Sequence, residues 1–242
     1  MKINKVCITG GAKGIGAETA RQFAASGAET IYLIDVDDAN GKKTEAELSA
    51  FCECCYRRLD VTDEPGVVAL FRDIETRGGL DVLFNCAGVT SVKGLLETDL
   101  ALWNKIMGIN ATGCFLFSRE AMRLMRAQNG GRIINVSSVS AHVGGIRTSP
   151  AYAASKAAIL GLTRALAKYG APYNVTVNAV APGIVDTDMT RDPDFIYSPG
   201  EVPLGGAAEP ADIARTVLFL AGEGGAHITG QCINVNGGMY FG

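Results

Sequence analysis

The fold of this chain is decided by one stretch, Lys5-Val6-Cys7-Ile8-Thr9-Gly10-Gly11-Ala12-Lys13-Gly14-Ile15-Gly16. Its first five residues read as a short buried strand, and a helical pattern follows the glycines. Glycines let a backbone approach a phosphate closely, and a helix N-terminus offers unpaired N–H groups and the positive end of a dipole. The stretch therefore predicts a strand, a glycine turn and a helix that bind a pyrophosphate through Gly10, Lys13, Gly14, Ile15 and Gly16.

The second predicted strand, Thr30 to Asp35, ends in an acidic residue about 20 residues after the glycines, where a carboxylate can accept hydrogen bonds from an adenosine ribose. A carboxylate there would repel the additional phosphate of NADP, so Asp35 predicts NAD rather than NADP. Two other interpretations stay open. Asp35 is also suited to a turn after a strand, and Lys13 in the glycine turn would help to hold a phosphate.

Predicted strands alternate with helices along the whole chain, and many strands are apolar on both faces. That pattern is typical of a parallel sheet covered on two sides. We therefore expect an α/β fold: a single Rossmann-type, doubly wound parallel sheet of about seven strands, forming one domain over residues 1–242. Residues 188–206 carry three prolines and no clear period, and we expect them to form a lid over a substrate.

Composition argues against several classes of partner. The chain is 48% apolar and 19% charged, with a net charge of -3 and no block of basic residues, so neither a nucleic acid nor a membrane partner is expected. The N-terminus has no signal-peptide pattern. Seven cysteines, an odd number, suit a reducing cytoplasm. Cys54 and Cys55 would point to opposite faces of a strand, so no metal site is expected there.

The chemistry is expected in the helical stretch that contains Tyr152 and Lys156, which lie four residues apart and so share a helix face. A nearby ammonium stabilises a phenolate and lowers its pKa, which would let Tyr152 exchange a proton with an alcohol oxygen near neutral pH. This stretch alone favours an ordinary amphipathic helix with a half-buried tyrosine and a solvated lysine, and the rest of the chain reverses that preference.

A long helix is predicted over residues 100–128, with apolar residues around much of its circumference, so its first half should be buried on several sides. Asn110 lies within that apolar part. A buried asparagine needs hydrogen-bond partners, so Asn110 either packs as a polar group or marks a local break in the helix.

Taken together, these motifs closely resemble those of the short-chain dehydrogenase/reductase family, over essentially the whole length. The matching set is Thr9-Gly10-x-x-x-Gly14-x-Gly16, Asn85-x-Ala87-Gly88, Asn110, Ser138, Tyr152-x-x-x-Lys156, and Pro182-Gly183 with Thr187 beyond it. Three departures are Cys86, where the family more often has a second Asn, an interval from Ser138 to Tyr152 that is about one residue longer than usual, and Asn236, where an Asp is frequent.

The resemblance implies a catalytic tetrad. Tyr152 would be the general acid/base, Lys156 would lower its pKa and hold the nicotinamide ribose, Ser138 would orient the substrate oxygen, and Asn110 would place a water. Further cofactor contacts implied by the family pattern are Asp60, Val61, Asn85, Ala87, Gly88, Tyr152, Pro182, Gly183, Ile184 and Thr187. A homotetramer is expected by the same analogy.

We therefore expect an NAD(H)-dependent oxidoreductase that interconverts a small-molecule secondary alcohol and a ketone. One alternative is an NADPH-dependent 3-oxoacyl-thioester reductase, and another is a non-catalytic dinucleotide-sensing protein. Substrate contacts are expected from Ser138, Tyr152, Met189 and His142, with Arg147 a further residue near the site in sequence.

Overall fold

A seven-stranded, all-parallel sheet forms the centre of the fold, with the strand order β3-β2-β1-β4-β5-β6-β7. The computed structural model describes residues 2–145, 148–191, 195 and 197–242, and the strands counted here lie within them. Their bounds are β1 Lys5–Thr9, β2 Thr30–Asp35, β3 Glu53–Arg58, β4 Val82–Asn85, β5 Gly131–Val136, β6 Val175–Pro182 and β7 Cys232–Val235.

Helices connect successive strands and cover both faces of the sheet. Their bounds are α1 Gly14–Ala25, α2 Asp38–Leu48, α3 Glu64–Thr76, α4 Leu100–Met107, α5 Cys114–Gln128, α6 Ser140–Val143, α7 Pro150–Gly170 and α8 Pro210–Ala221. Helices α1, α2 and α8 contribute to the core on one face, and α3, α5 and α7 contribute to the core on the other. The predicted α/β, doubly wound parallel fold is thereby confirmed.

The two cores follow from alternation along the strands. Val6 and Ile8 of β1 point into one core, whereas Cys7 between them points into the other, and all three are fully buried. Cys54 and Cys55 of β3 divide between the two faces in the same way, as the sequence predicted. Strands that are apolar on both faces are thus explained by burial on both sides.

The connections reverse direction at β1, which pairs with β2 on one side and with β4 on the other. The loops after β1 and β4 therefore leave the sheet toward opposite sides, and a crevice opens between them at the carboxyl ends of the strands. In open parallel sheets this position is where ligands bind.

The long helix expected over residues 100–128 is interrupted. A π-helical segment, Gly108–Gly113, separates α4 from α5, and Asn110 lies within it, so the local break anticipated at Asn110 is present. The expectation that the first half is buried on several sides is wrong for the single chain. Ile106 is buried, but Leu100, Trp103 and Phe115 are exposed, because no described segment of the chain packs against that face of the helix.

Residues 188–206 follow β6 with little regular structure. A 3₁₀ turn at Pro199–Glu201 is the regular element described between Asp188 and Gly206. Residues 192–194 and 196 lie outside the described residues, as does Arg147. In the described part of the chain, no helix is both long and apolar enough to cross a membrane, and no group of three His, Cys, Asp or Glu side chains is arranged to hold a metal ion.

Candidate active site

A cleft runs along the carboxyl ends of the strands and has two connected parts. The outer part is a cavity of about 430 Å³, and the inner part is a cavity of about 100 Å³. The two cavities share five lining residues: Ile15, Cys86, Gly88, Thr187 and Met189. Of the other sequence-predicted site residues, the outer cavity is lined by Gly10, Lys13, Gly14, Asp35, Asp60, Val61 and Ala87. The inner cavity is lined by Ser138, Tyr152, Lys156, Pro182 and Gly183.

The glycine turn shapes the floor of the outer cavity. Gly10 has a φ of 67°, and a Cβ at this position would lie 2.8 Å from the backbone nitrogen of Ala87, so a larger residue does not fit. Lys13 precedes the first turn of α1, and no side chain caps the N–H groups there. Uncapped N–H groups at a helix N-terminus beside a side-chain-free turn form a cradle for an anion. This chain's residues therefore fit the pyrophosphate of a dinucleotide.

Asp35 is fixed at the far end of the outer cavity by backbone donors. Its carboxylate accepts hydrogen bonds from the backbone N–H groups of Ala12 at 3.0 Å, Val36 at 2.8 Å and Asp37 at 3.1 Å. These bonds hold the carboxylate in place at the end of β2, in the wall of the cavity. Both functions considered from the sequence are compatible with this arrangement, because Asp35 closes the turn and still faces the cleft.

Lys13 does not stand free in the glycine turn. Its ammonium lies 3.1 Å from a carboxylate oxygen of Asp188 and 3.8 Å from one of Asp37. The hydrogen bond to Asp188 raises the pKa of Lys13, with smaller contributions from the charges of Asp188, Asp37 and Asp35. The cation is therefore balanced by carboxylates, and the ion pair with Asp188 joins the glycine turn to the segment after β6.

The segment after β4 is held by the end of β1. The Thr9 hydroxyl accepts hydrogen bonds from the backbone N–H groups of Cys86 and Ala87, both at 3.1 Å. Asn85, in contrast, turns its side chain away from the cleft. Its amide donates to Ser118 and Asn135, both at 2.9 Å, in the interior. The side chain of Asn85 thus connects β4 to α5 and β5.

Tyr152 and Lys156 lie in the first two turns of α7 and are both buried. The helix begins after Ser149, whose hydroxyl accepts a hydrogen bond from the backbone N–H of Tyr152 at 3.3 Å, as expected for a serine before the first turn. The Lys156 ammonium donates a 2.8 Å hydrogen bond to the carbonyl of Val136 and lies 5.7 Å from the centroid of the Tyr152 ring.

Burial dominates the electrostatics of this pair. It raises the pKa of the Tyr152 phenol, although a hydrogen bond with Ser138 acts in the opposite direction. It also lowers the pKa of Lys156 to about 8, against the opposing effect of Cys86 and Cys114. The expectation that Lys156 leaves the pKa of Tyr152 below its usual range is therefore wrong for this structure. Removal of the phenol from water is the largest influence, and it favours the protonated form.

Asn110 is fully buried and joins three segments around the site. Its side-chain oxygen accepts from the backbone N–H of Val89 at 2.8 Å, and its amide donates to the Val89 carbonyl at 3.0 Å and to the Ser155 hydroxyl at 2.9 Å. A Cβ on Gly88 would lie 3.3 Å from the Asn110 side-chain oxygen and 3.4 Å from the Lys156 ammonium. Asn110 and Lys156 thus approach the same point beside Gly88.

Of the remaining predicted residues, some lie at the cleft and others do not. Met189 lines both cavities. Gly16 packs against Gly10, and Ile184 is buried next to the cleft. His142, expected to contact substrate, lines neither cavity. Its ring stacks on Tyr240 with 4.4 Å between centroids.

Sequence reasoning gave the side chains of Thr9, Ser149 and Ser155 no role in supporting the site. Thr9 stood in the glycine motif without an assigned role, and Ser149 gave a local signal as a serine followed by proline at the start of a helical pattern. The hydrogen bond that Ser155 makes to Asn110 joins residues 45 positions apart, which no local pattern could indicate.

Comparisons with known proteins agree with this geometry. Residues 10–240 match a family model described as enoyl-(acyl carrier protein) reductase. The chain is 35% identical to the 3-oxoacyl-(acyl-carrier-protein) reductase of Aquifex aeolicus over 96% of each chain. It is 38% identical to the galactitol 2-dehydrogenase (L-tagatose-forming) of Cereibacter sphaeroides over 96% of this chain and 92% of that protein.

A solved structure shares the fold of this chain. The crystal structure of the 3-oxoacyl-(acyl-carrier protein) reductase of Brucella melitensis superposes with a TM-score of 0.90 at 30% identity, covering 99% of this chain and 92% of that one. A sheet of this topology with Ser138, Tyr152 and Lys156 at its rim is the arrangement of an oxidoreductase that acts on CH–OH and keto groups. The chain belongs to the short-chain dehydrogenase/reductase family.

Proposed function

We propose that this protein interconverts a small secondary alcohol and a ketone with NAD(H), and that Tyr152 is the general acid/base. The observation that carries the proposal is the connected cleft, which joins the outer cavity, lined by the glycine turn and Asp35, to the inner cavity lined by Ser138, Tyr152 and Lys156. The glycine turn and α1 would hold the pyrophosphate, Asp35 the adenosine ribose, and Lys156 the nicotinamide ribose. The bound nicotinamide supplies the hydride acceptor or donor.

The protein's own residues donate and accept the proton. In ketone reduction, the Tyr152 hydroxyl donates its proton to the substrate oxygen. In alcohol oxidation, the phenolate takes the proton of the substrate hydroxyl as the carbon loses hydride. Ser138 shares a hydrogen bond with Tyr152 and would hold the substrate oxygen beside the phenol. Lys156 would place a positive charge near the phenolate while its ammonium is protonated.

NAD is favoured over NADP by the charges around the outer cavity. Asp35 is held in the cavity wall by three backbone donors, and Lys13 is balanced by Asp37 and Asp188. An additional phosphate on the ribose would enter a region in which carboxylates outnumber cations.

The alternative, reduction of carrier-bound 3-oxoacyl thioesters with NADPH, is favoured by the names of two relatives. Charge argues against it. The described mouth of the cleft carries Asp186, whose carboxylate pairs with Arg191, and Asp188, which pairs with Lys13. Asp192 and Asp194 follow in sequence. A carrier with anionic groups would meet no excess of positive charge here. We therefore favour an uncharged alcohol or ketone.

We further propose that residues 188–206 form a lid in a single domain, and that the protein is a homotetramer. A groove of about 690 Å³ lies between α5 and α7, lined by Phe115, Leu166 and Tyr169 among others. A second copy would cover this groove together with the exposed Trp103 and Leu100.

All seven cysteines lie in the described part of the chain and are free thiols, which supports a cytoplasmic location.

A spectrophotometric screen tests the function. Wild-type protein and Tyr152→Phe are assayed with secondary alcohols and ketones, with 3-oxoacyl thioesters, and with NADH or NADPH. We expect turnover of an uncharged alcohol or ketone by the wild type with NAD(H). Turnover confined to thioesters with NADPH would establish the alternative, and NADH binding without any turnover would indicate a sensing protein.

A further inference from the structure

The seven residues after β7, numbers 236–242 and here named the post-β7 segment, fold back against the site. Asn236 organises this turn. Its side-chain oxygen accepts a hydrogen bond from the backbone N–H of Gly238 at 3.0 Å, and its amide donates to the carbonyl of Tyr240 at 3.2 Å. An amide can both donate and accept, whereas a carboxylate can only accept. Asn236 therefore makes both hydrogen bonds of this turn, of which a carboxylate could make only the one from Gly238.

Tyr240, presented by this turn, stacks on His142. The ring centroids lie 4.4 Å apart with 7° between the ring planes. His142 Nε2 also lies 3.8 Å from the sulfur of Cys232 in β7. The imidazole is thus held between the post-β7 segment and the last strand, which explains why it lines neither cavity of the cleft.

His142 belongs to the short helix α6, which begins two residues after Ser138. The Ser138 hydroxyl accepts a hydrogen bond from the backbone N–H of Ser140 at 3.1 Å, and the backbone N–H of His142 donates to the carbonyl of Val139 at 2.9 Å. The stack on Tyr240 therefore fixes the helix whose first turn contacts the Ser138 hydroxyl. A displacement of α6 would move the group expected to hold the substrate oxygen.

The post-β7 segment also contacts the opposite side of the cleft. The backbone N–H of Leu204 donates to the carbonyl of Gly237 at 3.0 Å, and a Cβ on Gly238 would lie 3.2 Å from Pro203. Pro203 and Leu204 belong to residues 188–206. The post-β7 segment thus joins α6, on the Ser138 side, to the end of the segment proposed as the lid.

We propose that the post-β7 segment braces α6, the helix that follows Ser138, and that Tyr240 is a positioning residue, acting through His142 on α6 and Ser138. The kinetic part of this inference rests on the proposed function. Tyr240 would influence how substrate is held without touching the cofactor cavity, whose lining includes no residue of the post-β7 segment.

A structural test does not depend on activity. The chain has two histidines, so its imidazole Cε1–H groups give two NMR resonances, which His142→Asn assigns. We expect Tyr240→Leu to shift the His142 resonance downfield through loss of the ring current, and Tyr240→Phe to leave it close to its wild-type position. An unmoved resonance in Tyr240→Leu would overturn the stack itself, whatever the enzyme turns over.

The kinetic test uses the substrate found in the screen. We expect Tyr240→Leu to raise KM about fivefold, the factor that a stacked aromatic pair is worth, with an unchanged Kd for NADH. Tyr240→Phe should restore the wild-type KM, and Asn236→Asp should reproduce the defect because its carboxylate repels the Tyr240 carbonyl. Phe241→Leu is the matched control, because Phe241 is 83% exposed.

Two kinetic results would overturn the inference. One is an unchanged KM in Tyr240→Leu when its His142 resonance has moved, which would make the stack irrelevant to substrate. The other is an equal defect in Phe241→Leu, which would point to a general loss of folding in this segment. Absence of any turnover in the wild type would count against the proposed function instead and would leave the NMR result standing.

Discussion

The Lys156 ammonium donates a 2.8 Å hydrogen bond to the Val136 carbonyl and lies 5.7 Å from the centroid of the Tyr152 ring. Both side chains are buried, and burial acts on them in opposite directions: it raises the pKa of the phenol and lowers that of the ammonium to about 8. At neutral pH the phenol is therefore protonated and the ammonium mostly charged. This is the protonation state that ketone reduction requires.

Removing the phenolic oxygen tests the role of Tyr152. Tyr152→Phe keeps the ring in its buried position but eliminates the proton donor, so we expect turnover to fall by a factor on the order of 100 or more. The outer cavity does not include Tyr152, so the Kd for NADH, measured by fluorescence titration, should change little. Turnover equal to that of the wild type would refute the assigned role.

The pH dependence should differ between the two directions. The phenol, which is active in reduction, is the major form at every pH below its raised pKa, whereas the phenolate needed for oxidation grows with pH. With substrate in excess, reduction should be nearly flat and oxidation should rise by up to about tenfold per unit between about pH 6 and 8, below the pKa of Lys156. Initial rates in both directions over this range give the comparison, and oxidation that declined with pH would contradict it.

Lys156 should make stability depend on pH in the alkaline range. Its pKa falls from 10.5 in the unfolded chain to about 8 in the folded protein. Between these values the unfolded state binds the additional proton, so this residue makes the free energy of unfolding increase as pH rises through the window. Below about pH 8, the buried charge costs stability on the order of 3 kcal/mol.

Lys156→Met removes that charge and keeps a side chain of similar shape. We expect it to be more stable than the wild type at pH 7 and to lose this advantage by about pH 10, while its activity is strongly reduced. Urea unfolding of both proteins at several pH values measures the difference, in which the contributions of other titrating groups cancel. A constant difference across the window would show that Lys156 is not buried as a charge.

Cofactor preference should shift when the charge of Asp35 is removed. Asp35→Asn keeps an oxygen that accepts from the backbone N–H groups of Ala12 or Val36, but it no longer repels a phosphate on the ribose. We expect the ratio of kcat/KM for NADPH to that for NADH to rise about tenfold or more. Asp38→Asn is the matched control, because Asp38 pairs with Lys42 and does not line the cavity. A ratio equal in both variants would refute the assignment of Asp35.

A charge placed in the α5–α7 groove should weaken the proposed assembly. Phe115 is 42% exposed and lines this groove, so Phe115→Glu would introduce a charge between two copies. Light scattering after size-exclusion chromatography should show a tetramer for the wild type and smaller species for Phe115→Glu. Phe51→Glu, at a distant position that is 71% exposed, should remain tetrameric. A monomeric wild type would rule out the homotetramer.

Much of the fold was predictable because its signals are local. The strand bounds Lys5–Thr9 and Thr30–Asp35 agree with the sequence interpretation, since each strand is an apolar run that ends at a glycine turn or an acid. The π segment around Asn110 was anticipated only as a break. Its form depends on hydrogen bonds to Val89 and Ser155, which lie far apart in the chain.

The sequence alone determined the succession of strands and helices along the chain, the glycine turn and the spacing of Tyr152 and Lys156. It did so because periodicity and turn chemistry operate over a few residues. Tertiary structure decided the burial and the contacts of these side chains. It buried the phenol and ammonium enough to reverse the expected change in the pKa of Tyr152. It also placed His142 against Tyr240 rather than in the cleft. Desolvation and contacts between distant segments depend on the whole packed chain, and no short stretch of sequence encodes them.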